Sequence, residues 1–198
     1  MTDAVRGFLK SIPAMTGVAP DIDPEAFPND PVTAFLQWLR AAVEAEVPEP
    51  HVVNLSTVDV HGVPDARPLV VKDVGERGWA FSSTKSSRKG SQLADRSAAA
   101  MTFWWPAQVR AVRIRGEVVE ATRAESLQDL SSRAPQAQAS VDSDDWTLWW
   151  LQPDRVEFWQ GSPDRHHHRI IYTRGQQTEH GQQSQSAWAR HAHRTEVS

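Results

Sequence analysis

The chain has 198 residues, with 21 Lys and Arg against 25 Asp and Glu for a formal charge of −4, and it has no cysteine. A chain of this length buries roughly 70% of its unfolded surface and folds without staples. The missing thiols exclude a disulfide framework, thiolate zinc sites, Fe–S clusters and a cysteine nucleophile. The acidic balance argues against general nucleic-acid binding, so any phosphate chemistry rests on local basic clusters, and a reducing cytoplasm is the simplest setting.

No stretch approaches the 18 apolar residues of a membrane span. The start carries Asp3 and reads poorly as a signal peptide. Val5, Phe8, Leu9 and Ile12 fall at helical spacing, which predicts a short amphipathic turn packed on the body. A transit peptide is the alternative. Residues 13–29 read as a surface loop. Asp30-Pro31 then opens a helix, with Val32, Phe35, Leu36, Leu39 and Val43 as its apolar stripe and Pro48 and Pro50 as its end.

From His51 the period changes to two. HVVNLSTVD and VPDARPLVVK read as strands around a turn at Asp59–Gly62, and a second turn at Val74–Gly78 leads into GWAFS. SSRKGSQLADR reads as a short helix opened by serine. AAAMTFWW and QVRAVRIRGEVVE are the next strand pair, and Thr122 to Glu125 forms a capping box that starts another helix. After Arg133 the chain is polar and helix-poor. WTLWWLQ, RVEFWQ and HHRIIYT are the last expected strands, and residues 174–198 read as a polar tail. The fold class expected is mostly β or α+β, an antiparallel barrel with short flanking helices. The boundaries are an arm at 1–29, one domain at 30–173 and the tail.

Two clusters could carry chemistry. Ser82, Ser83, Thr84, Ser86 and Ser87 crowd a strand end before Arg88 and Lys89 at a helix start, with Arg67 and Lys72 on a nearby strand. Hydroxyls, free N–H groups and cations make an anion site, suited to a phosphomonoester; a solvated, serine-capped loop is the alternative. The second cluster is Arg165-His166-His167-His168-Arg169. In a strand, Arg165, His167 and Arg169 would share one face, suited to bidentate phosphate or ring contacts. His166 and His168 chelating a metal, or a plain charged surface strand, are the other readings. No GxSxG, HExxH, Walker loop or GxGxxG is present, and the nine tryptophans read mostly as core.

In their order, DPVTAFLQWL, LSTVDVHGVPDARPLVVKD, WAFSSTKSSRKGSQLAD, MTFWW, RAVRIRGEV and VEFWQGSPDRHHHRIIY resemble the pyridoxamine 5'-phosphate oxidase family over about Asp30 to Tyr172. The last segment matches the family's C-terminal signature, centred on Arg-x-His-x-Arg. The resemblance implies a homodimeric FMN-binding split barrel with FMN at the subunit interface. It implies that Arg67, Lys72, Ser82, Ser83, Arg88, Lys89, Trp146 and Arg169 hold the flavin. Lys72, Arg133, Arg165 and His167 would hold the substrate, Arg165 and His167 being the catalytic pair. No metal is implied. The implied reaction is hydride transfer from C4' of pyridoxine or pyridoxamine 5'-phosphate to flavin N5, yielding pyridoxal 5'-phosphate. O2 then reoxidises the flavin to give H2O2.

The sequence departs from the family pattern at identifiable places. A flavin-contacting glutamine is Ala111, a substrate-phosphate tyrosine is Asp129, and a nearby serine is Ala137. The segment between Ala137 and Trp146 is several tens of residues shorter than usual. These departures leave two alternatives beside B6-phosphate oxidation. One is oxidation of a reduced aromatic intermediate of the dihydrophenazine kind, and the other is flavin or B6 binding without turnover.

Overall fold

The computed structural model describes residues 2–175 and 188–194. Its first element, α1 (Thr2–Ser11), is the expected amphipathic helix, but Val5, Phe8, Leu9 and Ile12 stay exposed rather than packing on the body. In α2 (Pro31–Glu44), Asp30 accepts from Thr33 N–H at 2.7 Å and Pro31 takes the first position. The buried residues are Pro31, Ala34, Phe35, Trp38 and Ala42, so the predicted stripe is rotated and Val43 is 60% exposed. Trp38 accounts for the rotation. Its ring meets Phe27 and Phe158 edge-on at centroid distances of 5.7 and 5.2 Å, and the largest side chain decides which face packs.

The strands β1 (Val52–Val58), β2 (Pro64–Val70), β3 (Asp73–Gly75) and β4 (Gly78–Thr84) come next. They are followed by α3 (Arg88–Asp95), β5 (Ala98–Trp105), β6 (Arg110–Glu120), α4 (Arg123–Ser131) and α5 (Pro135–Ala139). The chain continues through β7 (Trp146–Gln160), β8 (His168–Arg174) and β9 (Trp188–Arg194). All pairings are antiparallel, in the order β2-β1-β5-β6-β7-β4-β3, with β8 on β7 and β9 on β8. No helix among the described residues is long and apolar enough to cross a membrane.

Two strands were expected on either side of Pro153, yet β7 is one strand of 15 residues. Proline there sits at a bulge: Gly116 pairs with Pro153 and Arg115 with Arg155, leaving Asp154 as the extra residue. A Cβ on Gly116 would lie 1.9 Å from the Gln152 carbonyl oxygen, so only glycine lets the strands close at this point. The bulge divides the work of β7. Its first half pairs with β4 and its second half with β8.

This topology gives the sheet two distinct faces. Leu55, Met101, Ile114, Val156 and Tyr172 form one cross-strand row, all buried in the core. The adjacent row, Ser56, Ala100, Arg115 and Arg155, points to the opposite, outer face. Trp79 and Trp105 are fully enclosed and six of the nine tryptophans are buried, as expected of core.

Two stretches hold more structure than composition suggested. The segment after Arg133 forms the short helix α5, started by Pro135. Within the expected tail, β9 pairs along the whole of β8, with Arg174 over the Trp188 ring at 5.2 Å. Arg190 Nη1 donates to the carbonyls of Pro24 and Phe27 at 2.5 and 3.0 Å. Trp188 packs against the core, while ladder bonds and Arg190 hold the rest of the strand, so hydropathy barely registers it. Residues 176–187 and 195–198 of that tail lie outside the described residues.

Candidate flavin and substrate site

The first cluster assembles on the inner side of the sheet. Arg67 pairs with Leu55, so alternation turns its side chain inward toward α3. Its Nη1 donates to Thr57 Oγ1 at 2.5 Å and its Nη2 to Gln92 Oε1 at 3.1 Å. Asp65, two residues earlier on the same strand face, binds both Arg67 (2.8 Å) and Arg88 (3.1 Å). Burial alone would raise the Asp65 pKa, but the two arginines, Gln92 and the Ala66 N–H outweigh it and hold the carboxyl below its ordinary value.

Ser87 caps α3 by accepting from Gly90 N–H at 3.2 Å, and its hydroxyl lies 3.3 Å from Ser83 Oγ. Lys89 Nζ approaches the same hydroxyl at 3.5 Å. Burial, and then the Arg67 charge, push the Lys89 pKa down. Arg67 and Arg88 thus share one carboxylate beside a helix N-terminus, and Lys89 adds a third cation at the capping Ser87. The surplus of two positive charges matches a phosphate dianion. Ser82 does not join Ser83 here. Adjacent strand residues face opposite ways, and Ser82 Oγ is buried without a partner among the described residues.

Lys72 lies past the end of β2, so strand alternation does not reach it. Its backbone N–H donates to the Ala80 carbonyl at 2.8 Å, and its side chain lines a cavity of about 240 Å³ with His51, Leu39 and Phe103. Among the described residues, no side-chain bond joins it to the cradle or to Arg133.

Arg133 and Trp146 come together in a different place, between α4 and the start of β7. The Arg133 guanidinium lies over the Trp146 ring at 4.3 Å, and Trp146 Nε1 donates to Asp129 Oδ2 at 2.9 Å. Arg133 Nη1 is buried with no hydrogen-bond partner among the described residues.

The third group lies on and beside the outer face. Arg165 is not in a strand. It sits at φ 65° in a turn before β8, so the face-sharing expected of Arg165, His167 and Arg169 does not hold. Asp164 builds this turn, accepting from Ser162 Oγ and from His166 N–H at 2.5 and 2.9 Å. The Ser162 bond, then His166 N–H, with Arg194 adding to them, holds the Asp164 pKa at about 2. His167 Nδ1 accepts from Ser162 N–H at 3.0 Å, which puts the proton of the neutral ring on Nε2. Its ring lies 5.0 Å from Trp159. Arg169 pairs with Trp159 across the strands, and its Nη1 lies 3.3 Å from Glu157. Glu157, only 4% exposed, also binds Arg113 and Arg155, and these groups line an outer groove of about 370 Å³. No group of three or more His, Asp or Glu that could hold a metal occurs among the described residues.

Residues 39–160 match the family model described as pyridoxamine 5'-phosphate oxidase, and residues 146–192 match one described as the pyridoxine 5'-phosphate oxidase C-terminal dimerisation region. The chain belongs to the pyridoxamine 5'-phosphate oxidase family. It is 40% identical over 179 residues to the pyridoxine/pyridoxamine 5'-phosphate oxidase of Ectopseudomonas mendocina, covering 73% of this chain and 83% of the relative. The protein of that name from Thermosynechococcus vestitus is 34% identical over 177 residues, covering 74% and 84%. The fold is also that of PhzG from Burkholderia lata 383, solved with tetrahydrophenazine-1-carboxylic acid, with a TM-score of 0.78 at 21% identity over 90% of this chain and 100% of that one. A related FMN-binding protein from Nostoc punctiforme has a TM-score of 0.60 at 18% identity, over 82% and 96%.

As a member of the family the chain is an FMN-dependent oxidase with a split-barrel fold. The residues present fit the cofactor. The inner cradle offers the charge a phosphate monoester needs, and Arg169 Nε is a buried donor with no partner among the described residues. Sequence reasoning missed Asp65, Thr57 and Gln92, which orient Arg67. Period-two alternation from Arg67 to Asp65 was the signal that could have found the first. It also missed Glu157, which gathers Arg155 from two residues away on its own strand face and Arg113 and Arg169 from neighbouring strands, the last two beyond the reach of any local pattern.

Proposed function

We propose that the chain oxidises pyridoxine or pyridoxamine 5'-phosphate to pyridoxal 5'-phosphate, as a homodimer in the cytoplasm, with O2 as the final acceptor. When bound, FMN supplies the hydride-accepting ring, and the protein's task is to orient it. Arg67, Arg88, Lys89, Ser83 and Ser87 hold the flavin phosphate, and Arg169 donates to the ring edge. Arg165 and His167 face the substrate, with Arg133 holding its far end; Lys72, which lines a separate cavity, takes no part in this arrangement. The observation that carries this reading is the cradle, three cations and one carboxylate at a capped helix N-terminus.

The two faces of the sheet support the dimer. Arg67 points inward and Arg169 outward, so a flavin that touches both takes its cradle from one protomer and its ring wall from the other. The match of residues 146–192 to a dimerisation region agrees.

A second reading keeps the flavin and changes the substrate to a reduced aromatic without phosphate. Asp129, held by Trp146, favours it, because a carboxylate replaces the tyrosine that the family resemblance places against the substrate phosphate. Pyridoxamine phosphate and a dihydroaromatic, each offered to FMN-loaded protein with peroxide as the readout, decide between the two. Peroxide from the phosphate ester that is lost in Arg165→Ala supports the first. Turnover of the dihydroaromatic alone supports the second.

A further inference from the structure

Trp104 is the tryptophan that the fold does not use. It is 49% exposed, at the end of β5 on the polar outer face. It is not a lone surface hydrophobic, because it meets the Trp159 ring and the two indoles form a contiguous aromatic patch on a polar face. Its cross-strand row runs Trp104, Ala111, Trp159, Arg169. Strands lie about 4.8 Å apart, so two strands separate Trp104 from Trp159 by roughly 10 Å at the backbone. Their ring centroids nevertheless approach to 6.2 Å, tilted by 46°. The indoles therefore lean over Ala111, and a long side chain at that position would collide with them. At the far end of the row Arg169 Nε is buried with no hydrogen-bond partner among the described residues, while its Nη1 is spent on Glu157.

A shelf of two electron-rich rings that ends in an N–H donor selects a flat, electron-poor heteroaromatic with acceptor atoms on its edge. The tilt lets such a ligand stack on one indole and meet the other at its edge. A fused ring system spans both indoles, whereas a single pyridine ring covers one. We propose that Trp104 stacks against the isoalloxazine ring of FMN seated in the partner protomer's cradle, so that the Trp104–Trp159 shelf over Ala111 is this chain's ring-binding wall. The inference rests on the FMN reading above.

The test is titration of FMN into wild-type protein, Trp104→Leu and Trp104→Phe, read by quenching of flavin fluorescence and by the dissociation constant. Circular dichroism confirms the fold of each variant. Trp104→Leu keeps apolar bulk and removes the indole. It is expected to bind FMN about tenfold more weakly, with brighter residual flavin emission. Trp104→Phe should recover part of both. Pyridoxamine 5'-phosphate titrated alone should bind wild type and Trp104→Leu alike. An FMN constant and quenching unchanged in Trp104→Leu would overturn the proposal while leaving FMN binding intact. Wild type that takes up no FMN would sink the FMN reading itself, and this inference with it. Loss of pyridoxamine phosphate binding in Trp104→Leu, with FMN unaffected, would assign the shelf to the substrate and overturn the proposal.

Discussion

Trp146 Nε1 donates a hydrogen bond to Asp129 Oδ2 at 2.9 Å while the Arg133 guanidinium rests on the same ring at 4.3 Å. The indole is a neutral donor, so the bond orients the carboxylate without cancelling its charge. A carboxylate about 6 Å from a phosphate costs about 2–3 kcal/mol per unit charge at an effective dielectric near 20. Asp129→Asn keeps the acceptor and removes the charge. It should tighten binding of pyridoxamine 5'-phosphate by about tenfold to a hundredfold and leave unphosphorylated pyridoxamine unchanged. Calorimetric titration of both ligands checks this. An equal response from the two would show that the corner does not face a phosphate.

The cradle makes a parallel prediction for the cofactor. A charge-assisted hydrogen bond is worth about 1.5–3 kcal/mol, so Arg67→Met should weaken FMN binding by about tenfold to a hundredfold. Riboflavin, which lacks the phosphate, should bind the variant and wild type alike. Fluorescence titration with both flavins measures the contrast.

Lys89 should also give FMN binding a pH limit. Only the protonated amine attracts phosphate, and burial beside Arg67 lowers its pKa from the usual 10.5. Affinity is therefore full below the lowered pKa and falls as pH rises through it, sooner than an ordinary lysine would allow. Lys89→Arg keeps its charge and should flatten the decline in a titration series at rising pH.

On the acid side, Glu125 closes the capping box on Thr122 and binds Arg77, and its pKa falls to about 2 from 4.5. A depressed carboxylate pKa stabilises the fold above the unfolded value and loses that effect as pH drops through the folded one. The difference in denaturation midpoint between wild type and Glu125→Gln should be present at pH 6 and shrink toward pH 2. A gap that is constant over that range would show that the charge is not responsible.

Arg190 ties β9 to the arm before α2 through two carbonyls. Arg190→Ala should cost about 1 kcal/mol, which lowers the melting temperature by about 2–4 °C in a chain of this size. An unchanged melting curve would mean that the strand holds through its ladder alone.

Local patterns carried much of the fold. Asp30-Pro31, Ser87 and the Thr122 box mark helix starts because capping is chemistry within four residues. The single long β7 was hidden because Pro153 reads as a break unless the bulge opposite Gly116 is known. β9 was hidden because its stability comes from pairing. At the site, the cradle was legible from clustered serines and cations. The Arg165 turn was not, since its geometry depends on Asp164 gathering N–H groups around a left-handed residue. The Asp129–Trp146 bond joins residues 17 apart through tertiary packing, which no periodicity announces.

Arg67 and Arg169 project from opposite faces of one sheet. If each dimer has two pockets built this way, a subunit crippled in its cradle and another crippled in its wall are complementary. Arg67→Met and Arg169→Met homodimers would each be defective at both pockets. Mixed after unfolding and reassembled at random, they would form hybrids in which one pocket carries both lesions and the other carries none. About a quarter of all pockets would regain wild-type flavin affinity from two weakened parents, a genetic-style rescue that a pocket contained within one chain could never show.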